Sequence, residues 1–195
     1  MERQRVVIAD DETIVRMDIR EILEANGYEV VGEASDGIDA VELCRQQNPD
    51  LVLLDIKMPL MDGLSAAKQI HETNGNVAIV ILTAYNDERF IDKAAEYGSV
   101  GYVVKPLNER SLIPAIKIAL KRAADFVKLK TELEEQKQKL EDRKIIDRAK
   151  GYLMKEQGME EDAAYQYLRS LSMKKRVSIR DISEIILNSG KMMNT

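Results

Sequence analysis

The stretch Leu51-Val-Leu-Leu-Asp-Ile-Lys-Met-Pro-Leu-Met-Asp-Gly63 joins a run of four aliphatic residues to an acidic loop. Such a run predicts a short strand that is buried on both faces, as in a parallel sheet. The loop closes at Asp62, which is placed to cap the following helix. Asp55 is therefore expected at the carboxyl end of the strand, the edge where open α/β sheets keep their sites. A solvated aspartate at a strand end is the alternative for this stretch taken alone.

The same order of strand, polar loop and helix recurs along the first 122 residues. Five strands are predicted, with a helix after each, and the fourth helix is expected near residues 87–97. The strands begin near Arg5, Glu29, Leu51, Ala78 and Gly101. Strands that alternate with helices of about a dozen residues predict right-handed crossovers. The fold class is thus α/β, with a flavodoxin-like, doubly wound parallel sheet of five strands.

Composition limits the function classes. The 195 residues suffice for one large or two small domains, and 45% hydrophobic with 32% charged residues is usual for a soluble protein. No apolar run approaches the roughly 18 residues that span a bilayer, and no apolar signal region follows Met1. We expect a cytoplasmic protein without a membrane partner. The single cysteine, Cys44, is expected in the core, and one histidine leaves little for a transition-metal site.

Charge is distributed unevenly along the chain. Basic and acidic residues number 14 against 21 in residues 1–122, 4 against 4 in 123–140, and 11 against 9 in 141–195. The stretch 163–180 has five basic residues and no acidic one. Such a basic face indicates contact with a polyanion, and an ordinary solvated helix remains the alternative.

Polar side chains collect at the carboxyl ends of four predicted strands. They are Asp10, Asp11, Asp55, Thr83 and Lys105. Clustered carboxylates repel one another and call for a hard divalent cation, and Mg²⁺ is typically held by one or two carboxylates with phosphate and water. A lysine and a hydroxyl group can each neutralise or bind a phosphoryl oxygen. The set is suited to placing a phosphoryl group on a carboxylate.

These motifs, together with Lys57-Met58-Pro59, Tyr102 and Lys105-Pro106, resemble the bacterial two-component receiver domain over residues 1–122. The resemblance implies Asp55 as phosphoacceptor, with Thr83 and Lys105 as the other catalytic residues. It implies Mg²⁺ bound by Asp10, Asp11, Asp55 and the backbone carbonyl of Lys57. It further implies Thr83 and Tyr102 as a switch pair, a cis bond before Pro106, and a cognate sensor histidine kinase as partner.

Residues 123–140 are predicted to form a helical connector. No glycine or proline occurs between Pro114 and Gly151, so the last receiver helix should continue. Residues spaced alternately four and three apart form a heptad seam, called here the connector seam. It comprises Leu112, Ile116, Ala119, Ala123, Phe126, Lys130, Leu133, Lys137 and Leu140. Two lysines in core positions predict a weak, conditional coiled coil, hence a homodimer on phosphorylation. A single helix that is surrounded by solvent and does not pair is the alternative.

Residues 141–195 show three amphipathic helical patterns, which predict a small bundle. The first stops at Gly158, the second begins near Glu160, and Ser178 with Asp181 predicts a capping box for the third. The motifs Arg148-Ala-Lys-Gly-Tyr-Leu-Met154, Ala164-Tyr165 and Leu168-Arg169 resemble the ANTAR domain, an RNA-binding antitermination module. The whole chain thus resembles the ANTAR response regulators, among them the ethanolamine-utilisation type of transcriptional antiterminator.

Basic residues of this segment are the predicted contacts to RNA terminator or antiterminator hairpins. They are Lys144, Arg148, Lys150, Arg169, Lys174 and Arg176, with Gly151 among them. A mid-helix glycine costs about 1 kcal/mol relative to alanine, so a neighbouring helix or an RNA backbone should gain from close approach there. Tyr165 is expected in the core, and Tyr152 could stack on an unpaired base.

Two other classes of function compete with an antiterminator. A DNA-binding response regulator that acts as a transcription factor would need a recognition helix with base-reading side chains. An enzyme is disfavoured, because residues 141–195 contain no nucleophile–base pair or metal-ligand cluster. The stimulus, the kinase, the operon and the RNA loop are not encoded in any recognisable motif.

Overall fold

The structure is a computed structural model that describes residues 3–84 and 101–192. The chain divides into two compact units, Met1–Lys128 and Leu129–Thr195. The predicted division at residues 122 and 140 stays a prediction. Among the described residues, no helix combines the length and the apolar character that a membrane crossing requires.

The first unit contains a parallel sheet of five strands. They are β1 (Arg5–Ala9), β2 (Glu29–Ala34), β3 (Leu51–Asp55), β4 (Ala78–Thr83) and β5 (Gly101–Val104). Their order in the sheet is β2-β1-β3-β4-β5, which is the flavodoxin-like arrangement. The predicted fold class is confirmed. The helix predicted near residues 87–97 lies outside the described residues.

Three helices of the first unit each follow a strand, and two of them have an aspartate side chain as N-cap. They are α1 (Thr13–Ala25), α2 (Gly37–Gln47) and α3 (Gly63–Thr73). The Asp36 carboxylate accepts hydrogen bonds from the amides of Ile38 and Asp39, and Asp62 accepts one from Ser65. These bonds satisfy amide groups that have no partner within a helix. Asp62 therefore caps α3, as the sequence predicts.

Apolar side chains fill both faces of the sheet. Alternation along β1 sends Val6 and Ile8 to the layer formed with α1 and Val7 and Ala9 to the layer formed with α2 and α3. All five residues of β3 are buried, which explains its continuous apolar sequence. Cys44 lies in the second layer, as predicted. Burial raises the pKa of its thiol to about 12.

A single helix, α4 (Glu109–Gln157), runs from the first unit into the second. It contains Pro114, five residues after its start. Leu112, Ile116 and Ala119 of the connector seam are fully buried in the first-unit core. Beyond this point the seam becomes exposed, and every residue from 128 to 141 is exposed. The predicted helical connector is confirmed as part of α4.

The second unit contains the end of α4 together with α5 (Glu161–Lys175) and α6 (Ile179–Met192). Gly158 ends α4 with a φ of 64°, and Ser178 and Asp181 exchange the two hydrogen bonds of a capping box. The buried residues of its small core are Ala149, Leu153, Ala164, Leu168 and Ile182. A core of this size provides modest stability by itself.

Candidate phosphoryl-transfer site and candidate RNA interface

Strand register brings the predicted site residues to one edge of the sheet. Ala9 of β1 pairs with Leu54 of β3, and the next residue along each strand is Asp10 or Asp55. The two aspartates therefore lie at the same level of the sheet. Thr83 pairs with Val104, so Lys105 comes directly after β5 at that edge. This edge also contains the point where the strand order reverses, between β1 and β3. Ligands of doubly wound sheets bind at such a point.

Lys105 joins two carboxylates from neighbouring strands. Its Nζ lies 2.7 Å from Asp10 Oδ2 and 2.6 Å from Asp55 Oδ1. Both aspartates are buried, and 17% of the lysine side chain is exposed. Two buried carboxylates without a cation would be strongly unfavourable. The ammonium group therefore supplies the compensating charge at the centre of this site.

Burial and charge act in opposite directions on these groups. Burial raises the pKa of the Asp55 carboxyl group, and the ammonium of Lys105 only partly opposes that shift. Burial also tends to lower the pKa of Lys105, but its bonds to Asp10 and Asp55 outweigh this effect and the pKa is raised. Lys105 consequently stays charged at neutral pH. Asp55 is a better proton acceptor and a more basic oxygen nucleophile than an exposed aspartate.

A backbone hydrogen bond fixes the second oxygen of Asp55. The amide of Lys57 donates to Asp55 Oδ2 at 2.8 Å. The Lys105–Pro106 peptide bond is cis, as the resemblance to receivers implies. Thr83 is buried, whereas 46% of Tyr102 is exposed. The structure thus brings Asp10, Asp55 and Lys105 into contact, and the pairing of β4 with β5 adds Thr83 to the same edge.

The acidic loop after β1 has the right donor set for Mg²⁺. Carboxylate oxygens of Asp10, Asp11 and Glu12 all lie within 4.8 Å of one another. Hard oxygen ligands in a partly exposed cluster match what Mg²⁺ prefers, since this ion keeps several of its waters. Glu12 was not among the predicted ligands. The run of three consecutive acids is the sequence signal that could have indicated it.

Gly63 borders the site at very short range. An added Cβ atom would clash with the carbonyl oxygen of Asp55, and the Gly63 amide donates to the Ile56 carbonyl at 3.0 Å. Only a residue without a side chain fits between the loop and the end of β3. The Asp62-Gly63 pair therefore serves both the helix cap and the packing behind Asp55.

The predicted RNA contacts of the second unit occupy two regions. Lys144, Arg148 and Gly151 are exposed on α4, at spacings of four and three. Lys155, which the sequence analysis missed, extends this basic stripe by a further four residues. The stripe lies opposite the buried Ala149 and Leu153 on the helix. The same spacing rule, applied one turn further, would have found Lys155.

Gly151 has no packing neighbour that would explain it. Among the described residues, nothing lies within 4 Å of a Cβ atom built there. Close packing against the next helix, one of the two explanations from the sequence, is therefore wrong for this position. Close approach of an RNA backbone, the other explanation from the sequence, stays a prediction.

Lys150 lies off this stripe and is less exposed than Lys144, which pairs with Glu141 at 2.7 Å. Its Nζ lies 2.9 Å from Asp147 and 2.8 Å from Glu161 in the first turn of α5, and 17% of its side chain is exposed. The hydrogen bond that Lys150 donates to Glu161, followed by its bond to Asp147, raises the pKa of Lys150. This lysine links α4 to α5, so a phosphate would have to compete with two carboxylates for it. Its assignment to RNA stays a prediction.

The remaining basic residues follow the exposed side and the end of α5. Arg169, Lys174 and Arg176 are exposed. Arg176 ends the helix with a φ of 58°, a conformation that glycine adopts more readily. Tyr165 is 39% exposed, so the expectation of a core position is wrong. Spacing alone could not show this, because Tyr165 lies beside the buried stripe of Ala164 and Leu168.

Comparison with known protein families supports both domain resemblances predicted from the sequence. Residues 6–117 match the response regulator receiver domain, and residues 134–187 match the ANTAR domain. The chain belongs to the ANTAR response regulators. Such a protein is a regulator of transcription in a two-component system, and receiver domains bind Mg²⁺ at an acidic site. The narrower resemblance to an ethanolamine-utilisation type stays an expectation.

Relatives cover either the whole chain or the receiver alone. The transcriptional regulatory protein PdtaR of Mycobacterium tuberculosis is 40% identical over 186 residues, which span 95% of this chain and 90% of PdtaR. A two-component response regulator of the LuxR family from Aurantimonas sp. SI85-9A1 is 36% identical, with a TM-score of 0.59 over 62% of this chain and 86% of that one. A CheY-like receiver domain protein from Methanospirillum hungatei JF-1 has a TM-score of 0.60 at 27% identity, over 64% of this chain and 98% of its own.

Gly63→Ala is expected to destabilise the first unit by about 1–3 kcal/mol, the usual range for overpacking a tight site. The clash is with the backbone of Asp55, which cannot rotate away as a side chain could. Urea unfolding measures the effect. Gly101→Ala is the matched control, since within the described ranges 3–84 and 101–192 its added Cβ would meet only Val80 Cγ2, at 3.8 Å. Equal stability of the two variants would contradict the close approach at Gly63.

Proposed function

We propose that this response regulator is phosphorylated on Asp55, dimerises through the connector seam and then binds RNA hairpins to prevent transcription termination. The observation that carries the first step is the contact of Lys105 with both Asp10 and Asp55 at the reversal point of the sheet. A cognate sensor histidine kinase would supply the phosphoryl group.

Each residue of the site has a chemical role in this proposal. An oxygen of Asp55 attacks the phosphorus atom of the donor, and the bond from phosphorus to the leaving group breaks. Lys105 then neutralises a phosphoryl oxygen, and the Thr83 hydroxyl donates to another. Asp10, Asp11, Asp55 and the backbone carbonyl of Lys57 would hold Mg²⁺, which neutralises phosphoryl charge when bound. The carboxylates of Asp10 and Asp11 and the ammonium of Lys105 all lie at this edge of the sheet, where these roles require them.

Thr83 and Tyr102 supply a route from the site to the surface. They lie on adjacent strands near the same edge, one buried and the other 46% exposed. If Thr83 moves toward a new phosphoryl group, it vacates space on the sheet edge that an aromatic ring can fill. The outward ring of Tyr102 is then the unphosphorylated arrangement, and its inward turn is the signal to the partner surface.

The exposed part of the connector seam fits a second copy of the chain. Phe126, Leu133 and Leu140 are 56%, 54% and 56% exposed. They continue the heptad spacing of the buried seam residues, so two identical helices can pair through the same face. Lys130 and Lys137 interrupt that face, and Lys137 makes only an exposed ion pair with Glu134 at 3.0 Å. The pairing is thereby kept weak enough for control.

The basic stripe on α4 supports RNA as the ligand. Lys144, Arg148 and Lys155 surround a glycine whose surface is open, so a polyanion backbone can approach the helix closely there. Arg176 is held in a strained left-handed conformation, which costs about 1–2 kcal/mol and marks a side chain kept for a purpose other than stability. Loop bases are the source of sequence preference, since an A-form stem hides its major-groove edges.

Asp55 is predicted to be the single phosphoacceptor. Incubation with acetyl phosphate and Mg²⁺ should add one phosphoryl group by intact-protein mass, and Asp55→Asn should abolish the adduct, because the attacking carboxylate is gone. Asp50→Asn, at the amino end of β3, is the control that should label normally. A stable adduct on Asp55→Asn would show that the acceptor lies elsewhere.

Replacing Lys130 and Lys137 together by leucine should produce dimers without phosphorylation. The change removes two charges from the connector seam of each helix and completes its apolar face. Sedimentation velocity at micromolar concentration measures the result. Lys128→Leu with Lys139→Leu adds the same apolar surface off the seam and should leave the protein monomeric. A monomeric seam variant would remove the connector from the mechanism.

Gly151→Ala should have opposite effects on stability and RNA binding. The helix should gain about 1 kcal/mol, because alanine is the better helix former and nothing lies where the methyl group goes. The same methyl group should weaken binding of a terminator-hairpin RNA by blocking close approach of the backbone. Urea unfolding and filter binding measure the two effects.

Charge variants separate direct RNA contacts from helix-linking residues. Lys155→Gln should lower the slope of log affinity against log salt by about 0.7, the value for one phosphate contact on single-stranded RNA. Lys150→Gln should lower stability, because it removes the ion pairs with Asp147 and Glu161, and it should also lower the slope if Lys150 contacts a phosphate as predicted. If the wild type bound duplex DNA as tightly as the hairpin RNA, a DNA-binding regulator would be favoured. If Gly151→Ala bound RNA with unchanged affinity, the α4 stripe would not be part of the interface.

A further inference from the structure

The loop between β1 and α1 is anchored almost entirely through Asp10. Its amide donates to the Ala34 carbonyl at 3.2 Å, and its Oδ1 accepts from the Glu12 amide at 3.0 Å. Its Oδ2 lies against the ammonium of Lys105. Asp11 and Glu12, by contrast, are exposed. The position of the Asp11 carboxylate therefore depends on the backbone that leads to it.

Arg16 holds that backbone from the opposite side. Its Nη1 donates to the carbonyl oxygen of Asp10 at 2.6 Å. This oxygen belongs to the planar peptide unit that joins Asp10 to Asp11, so fixing it also fixes the amide of Asp11. The remaining degrees of freedom of Asp11 are few: one backbone rotation and its own side-chain torsions.

The other donors of Arg16 tie the same guanidinium to β2 and α1. Nε donates to Glu33 Oε2 at 3.2 Å, and Nη2 donates to Thr13 Oγ1 at 3.2 Å. The side chain of Arg16 is 13% exposed, and its bond to Glu33 is partly buried whereas its bond to Thr13 is exposed. The planar guanidinium spreads its donors over three nitrogens in fixed directions, whereas the three donors of a lysine ammonium leave one nitrogen and cannot span these acceptors.

Glu33 is itself held by a second arginine. Arg20 Nε donates to Glu33 Oε1 at 2.6 Å, and Arg20 also pairs with Glu24 at 3.2 Å. In the described part of the chain, Arg20 bonds to Glu33 and Glu24 and makes no hydrogen bond to the acidic loop. Arg16 and Arg20 thus share one carboxylate partner and lie one turn apart on α1, but only Arg16 touches the loop that carries the proposed ligands.

We propose that Arg16 is a positioning residue for the Mg²⁺ site: by fixing the peptide between Asp10 and Asp11, it aims the Asp11 carboxylate at the metal. The inference rests on the proposed function of Asp10 and Asp11 as metal ligands. Partners that orient a ligand from behind typically change metal affinity 10–100-fold when removed. Arg16 touches neither the metal nor the phosphoryl group in this role.

The test compares Mg²⁺ affinity in variants of the full chain. Thermal unfolding midpoints are measured over a MgCl₂ titration, and the concentration dependence gives an apparent dissociation constant. Arg16→Met should raise that constant about tenfold, the lower end of the range for orienting partners. Arg16→Lys should fail to restore it, because charge without the fork does not fix the peptide. Arg20→Met, the matched control, should stay within about twofold of wild type by the same standard.

A second readout separates positioning from general loosening of the fold. The rate of acetyl phosphate labelling is measured against Mg²⁺ concentration. Arg16→Met should shift the half-saturating concentration, and saturating Mg²⁺ should restore most of the wild-type rate. A shift of the same size in Arg20→Met would assign the effect to α1 as a whole and overturn the proposal. If Arg16→Met does not fold, Arg16→Lys carries the comparison.

Failure of this inference differs from failure of the proposed function. A Mg²⁺-dependent stabilisation of the wild type that Arg16→Met and Arg16→Lys retain in full would overturn the role of Arg16 and leave Asp55 phosphorylation intact. A wild type that binds Mg²⁺ in an Arg16-dependent way but accepts no phosphoryl group would support Arg16 and overturn the phosphoacceptor.

Discussion

Two buried carboxylates held by one ammonium group are the constraint on which the first unit depends. Asp10 and Asp55 end adjacent parallel strands, and each would be costly to bury without Lys105. The sheet must therefore keep β1, β3 and β5 in register, and the close approach at Gly63 must keep the end of β3 in place. The same arrangement stores charge that a phosphoryl group and Mg²⁺ can reorganise. The proposed phosphoryl transfer would thus use the same contacts that stabilise this edge of the sheet.

The second unit shows the reverse relation between stability and function. Gly151 weakens α4 without a packing benefit among the described residues, and Arg176 ends α5 in a conformation better suited to glycine. Lys150, in contrast, joins α4 to α5 through two ion pairs. Lys150, which stabilises the bundle, therefore alternates along the same turns of α4 with the exposed residues that we propose for RNA contact.

Much of the first unit follows from sequence because its signals are local and strong. The apolar run of β3, the caps at Asp36 and Asp62, and the alternation of strands with helices decide the sheet and bring its acidic ends together. Arg16 could not be predicted in this way, since its contact to the Asp10 carbonyl depends on the angle at which α1 leaves the loop. Tyr165 and Lys150 were misjudged or ambiguous for a related reason. Their surroundings are set by how three short helices pack, and spacing along one helix does not give that.

In the proposed function, phosphorylation of Asp55 controls RNA binding by the second unit. The two events are coupled through the pairing of α4 with a second copy of the chain. The most direct measurement is the affinity of the full chain for a terminator-hairpin RNA before and after treatment with acetyl phosphate and Mg²⁺, in wild type and Asp55→Asn. The wild type should bind about tenfold or more tightly after treatment, a coupling of roughly 1.4 kcal/mol or above, and Asp55→Asn should not respond. Equal affinity of the treated and untreated wild type, at full phosphoryl occupancy, would contradict the claim.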